Sequence, residues 1–316
     1  MNDALQSKKI KVVKLSVTSN SVLVVFKLII GFYIGSISVL SEAIHSGIDL
    51  AAALIAYFAV RSSAQPADKD HHYGHGKFEN VSGFVEAILI FLAAAWIIIE
   101  AVKKLATRSA PIELVGWGIL VMALSSFVNM AVSHQLFKIG SEADSVAIKA
   151  DAWHLRTDVY TSMGVMGGLA LIWLIELAFP GHHVHWIDPL AAILVAGLII
   201  KAAYDLTVQS LGDLLDASLP KAENELIRSA IRGRSGVISF KGLRTRKSGG
   251  VRFIEFDMLV QADITVEASH ALADEVTAAI SSSLKNAEVT IHIEPCKPCP
   301  PSAACAANCV SPCKKP

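Results

Sequence analysis

The sequence predicts an α-helical membrane protein with six transmembrane helices, followed by a small cytoplasmic α+β domain. Nearly all the long apolar runs lie in residues 12–210, while the whole chain is 53% hydrophobic with a mean hydropathy of +0.50. Residues 211–295 instead have the mixed composition of an ordinary soluble domain. Because about 20 apolar residues cross a bilayer, the first region has room for six crossings.

Six apolar stretches of sufficient length follow one another. They cover approximately residues 12–33, 37–60, 78–102, 114–137, 145–177 and 189–208. The fifth is longer than a bilayer requires, so we expect its start to project from the membrane. Asp188 and Pro189 open the sixth as an N-cap and a proline at the first helical position. A tight turn is predicted at Gly31–Ser38, and Lys27 is expected to snorkel or to pair.

The distribution of lysine and arginine predicts the orientation of these helices. An even number of crossings places both ends of the chain on one side. That side holds ten basic residues: Lys8, Lys9, Lys11, Lys14, Arg61, Lys69, Lys77, Lys138, Lys149 and Lys201. The other side holds three: Lys103, Lys104 and Arg108. Since basic residues favour the cytoplasmic side, residues 1–11 and the C-terminal regions are predicted to be cytoplasmic.

Residues 211–295 show an α-β-β-α-β order of elements. Helical spacing is found over Lys221–Arg234 and Ala268–Leu284. Strands are predicted at residues 237–247, 251–261 and 288–294, with a hairpin signal, Ser248-Gly249-Gly250, between the first two. This order predicts a two-layer, ferredoxin-like domain. The formal net charge is zero, so nothing indicates a nucleic-acid partner.

The five cysteines all lie in a tail of residues 296–316, which is rich in proline and alanine. They are Cys296, Cys299, Cys305, Cys309 and Cys313. A cysteine-free membrane region argues against a fold that is stabilised by disulfide bonds. Thiolates in a reducing cytosol are soft ligands for zinc, copper(I) or cadmium, but the spacing is not that of a zinc finger. We expect a flexible, metal-collecting tail, with an inert tail of reduced cysteines as the alternative.

Two histidine–aspartate pairs lie inside apparent membrane helices. His45 and Asp49 belong to the second helix, His154 and Asp158 to the fifth, and the four-residue spacing places each pair on one helix face. Ionisable groups cost about 2.5–3.5 kcal/mol at a helix centre, so they usually face a site or a pathway. One pair alone could be a helix–helix hydrogen bond. Two identical pairs favour four ligands for a tetrahedral divalent metal, zinc first.

The chemistry of these ligands predicts a mechanism. Metal binding needs neutral histidine and ionised aspartate, so protons compete with metal, and alternating exposure could exchange the two. An intramembrane metalloenzyme is disfavoured, since no His-Glu-x2-His motif occurs and four protein ligands leave no open position. A membrane metal sensor or scaffold without transport remains an alternative.

Three further motifs accompany the pairs. They are Pro66-Ala67-Asp68-Lys69-Asp70-His71-His72-Tyr73-Gly74-His75-Gly76-Lys77, then Leu243-Arg244-Thr245-Arg246 before Ser248-Gly249, and Ile291-His292-Ile293-Glu294-Pro295-Cys296. With the six-span layout, they resemble the cation diffusion facilitator family of divalent-metal transporters, of the bacterial zinc-exporter type. The resemblance covers about residues 8–296. It implies metal–proton antiport out of the cytoplasm by a homodimer in the bacterial inner membrane.

The resemblance also implies a set of sites. The transport site would be His45, Asp49, His154 and Asp158; a histidine at the first position is similar to the zinc-preferring branch. Zinc is thus expected as substrate and as possible regulatory ligand, with iron, cadmium, cobalt or manganese as alternatives. Asp68, His71 and His75 match a peripheral loop site, with His72 as a spare donor, although a solvated loop would look similar.

In the cytoplasmic domain, the family's metal site matches Asp257, His270, His292 and Glu294. Lys241 stands where several relatives carry a histidine, and a protonated ammonium cannot bind metal. We therefore expect a single weaker site, or a domain without metal. Lys77 and Asp216 match a charged link between protomers, with ordinary interfacial charges as the alternative.

Overall fold

The computed structural model describes residues 3–34, 37–107, 116–178 and 186–296. The chain divides into two compact units, Met1–Leu211 and Gly212–Pro316. Within the described residues, the first unit consists of long helices. They are α1 (Asp3–Ile34), α2 (Ile37–Ser63), α3 (Lys77–Thr107), α4 (Gly116–Glu142), α5 (Val146–Ala178) and α6 (Ile187–Leu214).

Helix α1 departs from the prediction at both ends. It begins at Asp3 rather than near Val12, so its polar first turns project beyond the apolar stretch. It also continues through Gly31 to Ile34, so the predicted turn cannot begin at Gly31. Glycine is tolerated inside apolar helices because a membrane offers the backbone no water to replace its helical hydrogen bonds.

Three of the described helices are long and apolar enough to cross a membrane. These spans are Ala4–Ile30, Lys77–Lys103 and Ala192–Leu214. Helix α5 carries Asp151, Arg156 and Asp158 in its described part, which lowers its apolar character. The described residues alone therefore establish three candidate crossings, fewer than the six that the sequence predicts.

Two apolar clusters hold the first unit together. Helix α1 packs along α2, and α4 packs along α5, around buried residues that include Val13, Val60, Leu136, Ile148 and Leu155. A second cluster joins α3, α5 and α6 through Ala87, Ile90, Val146, Ile199 and Leu206. The small residues in these contacts allow helices in a membrane to approach closely.

Two glycines mark the closest helix approaches. A Cβ added at Gly83 of α3 would lie 2.7 Å from Val146 Cγ1 and 2.8 Å from Ser210 Oγ. A Cβ at Gly164 of α5 would lie 2.9 Å from Val195 Cγ2 of α6. The start of α5 and the end of α6 thus meet at the same end of α3.

A buried carboxylate ties four chain segments together. Glu79 of α3 is 1% exposed and accepts hydrogen bonds from Lys9 Nζ of α1 and from Ser145 Oγ, just before α5. Ser63 Oγ, at the end of α2, donates a third hydrogen bond of 2.7 Å. Both charges are buried, so their partners within the protein replace the water that they have lost.

The second unit has the predicted α-β-β-α-β order. Its elements are α7 (Lys221–Arg232), β1 (Ser239–Ser248), β2 (Val251–Val260), α8 (Val266–Ser283) and β3 (Ala287–Pro295). The sheet order is β1-β2-β3, with β1 antiparallel and β3 parallel to β2. The hairpin signal is confirmed, since Gly249 has a φ of 57° in a two-residue turn between β1 and β2.

Among the described residues of this unit, the helices cover one face of the sheet. Ile227 and Ile231 of α7 and Leu272, Val276 and Ile280 of α8 pack against the core side chains of the strands. Three polar residues alternate with these core residues along β2 and β3. They therefore face the opposite side of the sheet: Asp257, His292 and Glu294.

Candidate metal-transport site

Helices α2 and α5 bring three of the predicted transport ligands together. Asp49, His154 and Asp158 each place a ligand atom within 4.8 Å of the others. Asp49 and His154 are buried and Asp158 is half-buried. His45 lies one turn before Asp49 on α2, and its side chain falls outside the described part of the chain. His154 and Asp158, four residues apart on α5, therefore lie with Asp49 of α2 around one point between the two helices.

The closest contact of the site joins the two helices. His154 Nε2 lies 3.2 Å from Asp49 Oδ1. At this distance a protonated Nε2 donates a hydrogen bond to the carboxylate. Asp49 and His154 are also two of the predicted metal ligands. A proton between them and a metal ion would compete for the same side chains.

A buried lysine lies near the α2 side of the site. Lys27 is 3% exposed, and its Nζ donates a hydrogen bond of 2.7 Å to Ser46 Oγ. Ser46 precedes Asp49 by three residues, so its side chain lies about one turn away on the same helix. Of the two expectations for Lys27, snorkelling is wrong and pairing is confirmed.

Two fully buried carboxylates also belong to the surroundings of His154. Asp151 lies three residues earlier on α5, and Glu86 lies on α3. Their charges interact with His154, and Asp151 and Glu86 also interact with each other. Sequence reasoning missed Glu86 as a functional residue. The signal was present, because Glu86 is the one ionisable residue between Asn80 and Ile99.

The loop before α3 brings together a second group. Asp68, His71 and His75 place one ligand atom each within 4.8 Å of one another. Asp68 Oδ1 lies 3.4 Å from His71 Nδ1, and Asp68 Oδ2 lies 3.4 Å from His75 Nε2. His72 is exposed and is not part of this group. The carboxylate thus bridges two imidazoles, which is a donor set suited to zinc.

Backbone contacts keep the loop carboxylate ionised. The backbone N–H of His71 donates to Asp68 Oδ1 at 2.7 Å, and that of Asp70 donates at 2.9 Å. The hydrogen bond from His71 is the main cause that lowers the pKa of Asp68, with smaller contributions from Asp70 and the two histidines. Asp68 is therefore charged and ready for a cation over a wide pH range.

The predicted cytoplasmic ligands are only partly brought together. Asp257 and His292 are register partners on β2 and β3, and His292 Nε2 lies 3.8 Å from Glu294 Oε1. His270 lies on α8, in the helical layer, where its Nδ1 is 3.2 Å from Asp274 Oδ2. Within one chain, His270 thus lies on the other side of the sheet from the remaining three residues.

Lys241 is in direct contact with one of these residues. Its Nζ lies 2.7 Å from Glu294 Oε2. This hydrogen bond is the main cause that raises the pKa of Lys241, assisted by the charges of Glu294 and Asp257. Lys241 therefore remains an ammonium, and its ion pair with Glu294 competes with metal binding by that carboxylate.

The other predicted positions have separate environments. Asp216 Oδ1 lies 3.6 Å from Arg246 Nη1 in the second unit, while Lys77 begins α3 in the first. The charged link between protomers stays a prediction. Cys296 is disulfide-bonded, which corrects the expectation of a reduced thiolate there. Cys299, Cys305, Cys309 and Cys313 lie outside the described residues.

Two family models together match most of the chain. Residues 13–215 match the Cation efflux transmembrane domain, and residues 219–296 match the Cation efflux protein, cytoplasmic domain. The chain belongs to the cation diffusion facilitator family. This confirms the resemblance seen in the sequence, and it identifies the chain as an integral membrane protein of a transporter family rather than an enzyme.

Individual relatives are similar over most of their length. An uncharacterized transporter of Synechocystis sp. is 34% identical, over 83% of this chain and 82% of its own. The cation-efflux pump FieF of Yersinia enterocolitica is 30% identical, over 93% and 95%. A solved structure of a proposed zinc transporter, CzrB, is 35% identical, over 25% of this chain and 100% of its own, with a TM-score of 0.24.

Proposed function

We propose that this protein exports a divalent metal ion, zinc first, from the cytoplasm in exchange for protons. The convergence of Asp49, His154 and Asp158 in the membrane domain carries the proposal. Imidazole nitrogen and carboxylate oxygen are the donors of tetrahedral zinc sites, and His45 would supply the fourth. Four protein ligands leave no open position for a reacting water, so this set suits carriage of a metal rather than catalysis.

Proton coupling is supported by the contact between the two helices. The metal-free site holds His154 Nε2 against Asp49 Oδ1 at 3.2 Å. Entry of a metal replaces the shared proton, and entry of a proton from the other side helps to expel the metal. Exposure of the site to one side at a time converts this competition into antiport.

The proposed topology has six crossings with both ends in the cytoplasm of a bacterium, in its inner membrane. The family's transmembrane domain extends over α1 to α6, and the ten-to-three distribution of basic residues favours this orientation. We further propose that the protein acts as a homodimer. The loop group of Asp68, His71 and His75 would collect metal, as would any tail cysteines that stay reduced.

Related metals would use the same site with different affinities. Iron, cadmium, cobalt and manganese accept nitrogen and oxygen donors, so the ligand types alone do not exclude them. The cytoplasmic domain is proposed to bind metal weakly, since Lys241 is paired with Glu294. A sensor or scaffold would bind metal at the same residues without moving it.

Metal flux into proteoliposomes tests the proposal. Purified protein is reconstituted, a pH gradient is imposed, and uptake of each divalent ion is measured together with proton release. Asp49→Asn and Asp158→Asn keep the size of the side chain but remove its charge, and both should abolish zinc flux. Asp263→Asn, in an exposed turn of the second unit, is the matched control and should behave like the wild type.

Three outcomes distinguish the functions. Zinc uptake that accelerates with an acidic interior and releases protons supports antiport. Zinc binding without uptake identifies a sensor. Near-normal flux in either aspartate variant would show that the substituted aspartate is not part of the transport site.

A further inference from the structure

A lateral groove of about 440 Å³ opens between α5 and α6 in the membrane unit. Ala202 and Leu206 of α6 are buried and form its floor, and Trp153 and Tyr160 of α5 form an aromatic wall. Two basic residues, Lys149 and Lys201, line the same groove. The groove therefore combines an apolar floor with two basic residues, one on each helix.

The groove has a defined length. Beyond its Leu198 end, α5 and α6 approach closely at Gly164 and Val195. From there its α6 side runs from Leu198 to Gln209, twelve residues with a rise of about 16 Å in an α-helix. One leaflet of the hydrocarbon core is about 15 Å thick, half of the full core. The groove therefore has about the length of one acyl chain in one leaflet.

Lys201 is in an unusual position for a charged residue. Its side chain is 75% exposed on a membrane-spanning helix, and its partner Asp205, 2.9 Å away, is 62% exposed. A lysine that faces lipid is costly unless its ammonium reaches polar groups at the interface. The contact with Asp205 draws the ammonium toward the Gln209 end of the groove, which is the end nearer to the end of the candidate span at Leu214.

Lys149 approaches the same end from α5. It lies three residues after the start of that helix, and the packing of Gly83 places this start beside the end of α6. Lys149 Nζ is 3.0 Å from Asp144 Oδ1, and neither ion pair is fully buried. The Lys201–Asp205 pair is exposed and contributes little free energy, so a phosphate can compete for Lys201. Lys149 and Asp144, at 24% and 27% exposure, form a half-buried pair.

We propose that this groove binds one anionic phospholipid. The phosphate is held by Lys149 and Lys201, and one acyl chain lies over Ala202 and Leu206 against Trp153. The lining holds two basic residues and one acidic residue, while Asp144, which pairs with Lys149, lies outside it; the charge within the groove therefore favours an anionic headgroup over a zwitterionic one. Basic pockets between transmembrane helices recognise anionic lipid headgroups in this way. The site does not depend on the proposed transport activity.

Quenching of Trp153 fluorescence tests this site. The full-length protein is placed in nanodiscs that contain either brominated phosphatidylglycerol or brominated phosphatidylcholine at equal mole fractions. The chain has five tryptophans, so the share of Trp153 is taken as the wild-type signal minus that of Trp153→Phe. We expect half-quenching at a lower mole fraction of phosphatidylglycerol, by about five-fold for each lysine.

Charge variants identify the residues that recognise the headgroup. Lys149→Gln and Lys201→Gln should each reduce the preference about five-fold, and the double variant should remove it. Lys201→Arg keeps the charge and should keep the preference. Lys14→Gln, which changes an exposed lysine of α1 outside the groove, is the matched control. Thermal unfolding of each variant shows that the fold is retained.

Four results would overturn the inference. Equal quenching by both lipids would show that the headgroup is not recognised, and quenching by neither would show that protein covers the groove. Displacement of the lipid by soluble glycerol phosphate would indicate a site for free anions. A preference that survives in the double lysine variant would place the recognition elsewhere.

Discussion

Removal of one partner from the buried ion pair of Lys9 and Glu79 should strongly destabilise the membrane unit. Glu79 accepts hydrogen bonds from Lys9, Ser63 and Ser145, and both charged side chains are almost fully buried. Lys9→Met leaves the carboxylate buried without its cation, a change that typically costs about 3–5 kcal/mol. For a domain of this size, 1 kcal/mol corresponds to about 2–4 °C in Tm. The expected decrease in Tm is therefore roughly 6–20 °C.

The neighbouring residue supplies a matched control for this experiment. Lys8 forms an ion pair with Glu142 at 2.7 Å, but the two side chains are 52% and 40% exposed. Because exposed ion pairs contribute about 0–1 kcal/mol, Lys8→Met should lower Tm by at most a few degrees. The assay is thermal unfolding of the purified variants in one detergent. Equal effects of Lys8→Met and Lys9→Met would refute the reasoning.

Three further predictions concern metal binding. His45→Asp should keep zinc transport but raise the cadmium-to-zinc flux ratio, since a second carboxylate oxygen lets the site widen. Both fluxes are measured in the same vesicles, and an unchanged ratio would show that other residues set the selectivity. Lys241→His should remove an ammonium and add a ligand beside Glu294, so calorimetry should detect tighter zinc binding to the full chain than with Lys241→Gln. Zinc binding at the loop should weaken as pH falls, because protons compete with zinc for the imidazole nitrogens while Asp68, with its lowered pKa, stays charged. Loop binding by Asp68→Asn that equals the wild type at every pH would contradict that account.

The sequence predicts most of the fold because apolar length and periodicity act locally. All six long apolar stretches coincide with helices, and the element order of the second unit is as expected. The ends of α1 were predicted less well, since hydropathy marks where a helix enters the membrane and not where its hydrogen bonds begin. Asp3 is polar, yet it begins the same continuous helix.

The candidate site was predictable where its residues lie one turn apart on a helix. Helical spacing alone relates His154 to Asp158 on α5, but the approach of Asp49 from α2 depends on tertiary packing. Glu86 and Lys27 reach their buried positions through the packing of α3 and α1. A single sequence does not show how these helices are aligned against their neighbours. The separation of the cytoplasmic histidine on α8 from the carboxylates of the sheet likewise follows from which layer each element joins.

The proposed exchange of a metal ion for one proton between His154 and Asp49 has a consequence for the membrane voltage. Exchange of one divalent ion for this single proton moves one net positive charge outward, which costs about 2.3 kcal/mol against an inside-negative potential of about 100 mV. One pH unit supplies only about 1.4 kcal/mol per proton. With a second proton the exchange is electrically neutral, so the voltage no longer opposes it. The two protons together then supply about 2.8 kcal/mol per pH unit, enough for roughly a hundred-fold metal gradient. Under these conditions the proposed export needs another proton-carrying group, and two buried carboxylates, Asp151 and Glu86, lie around His154.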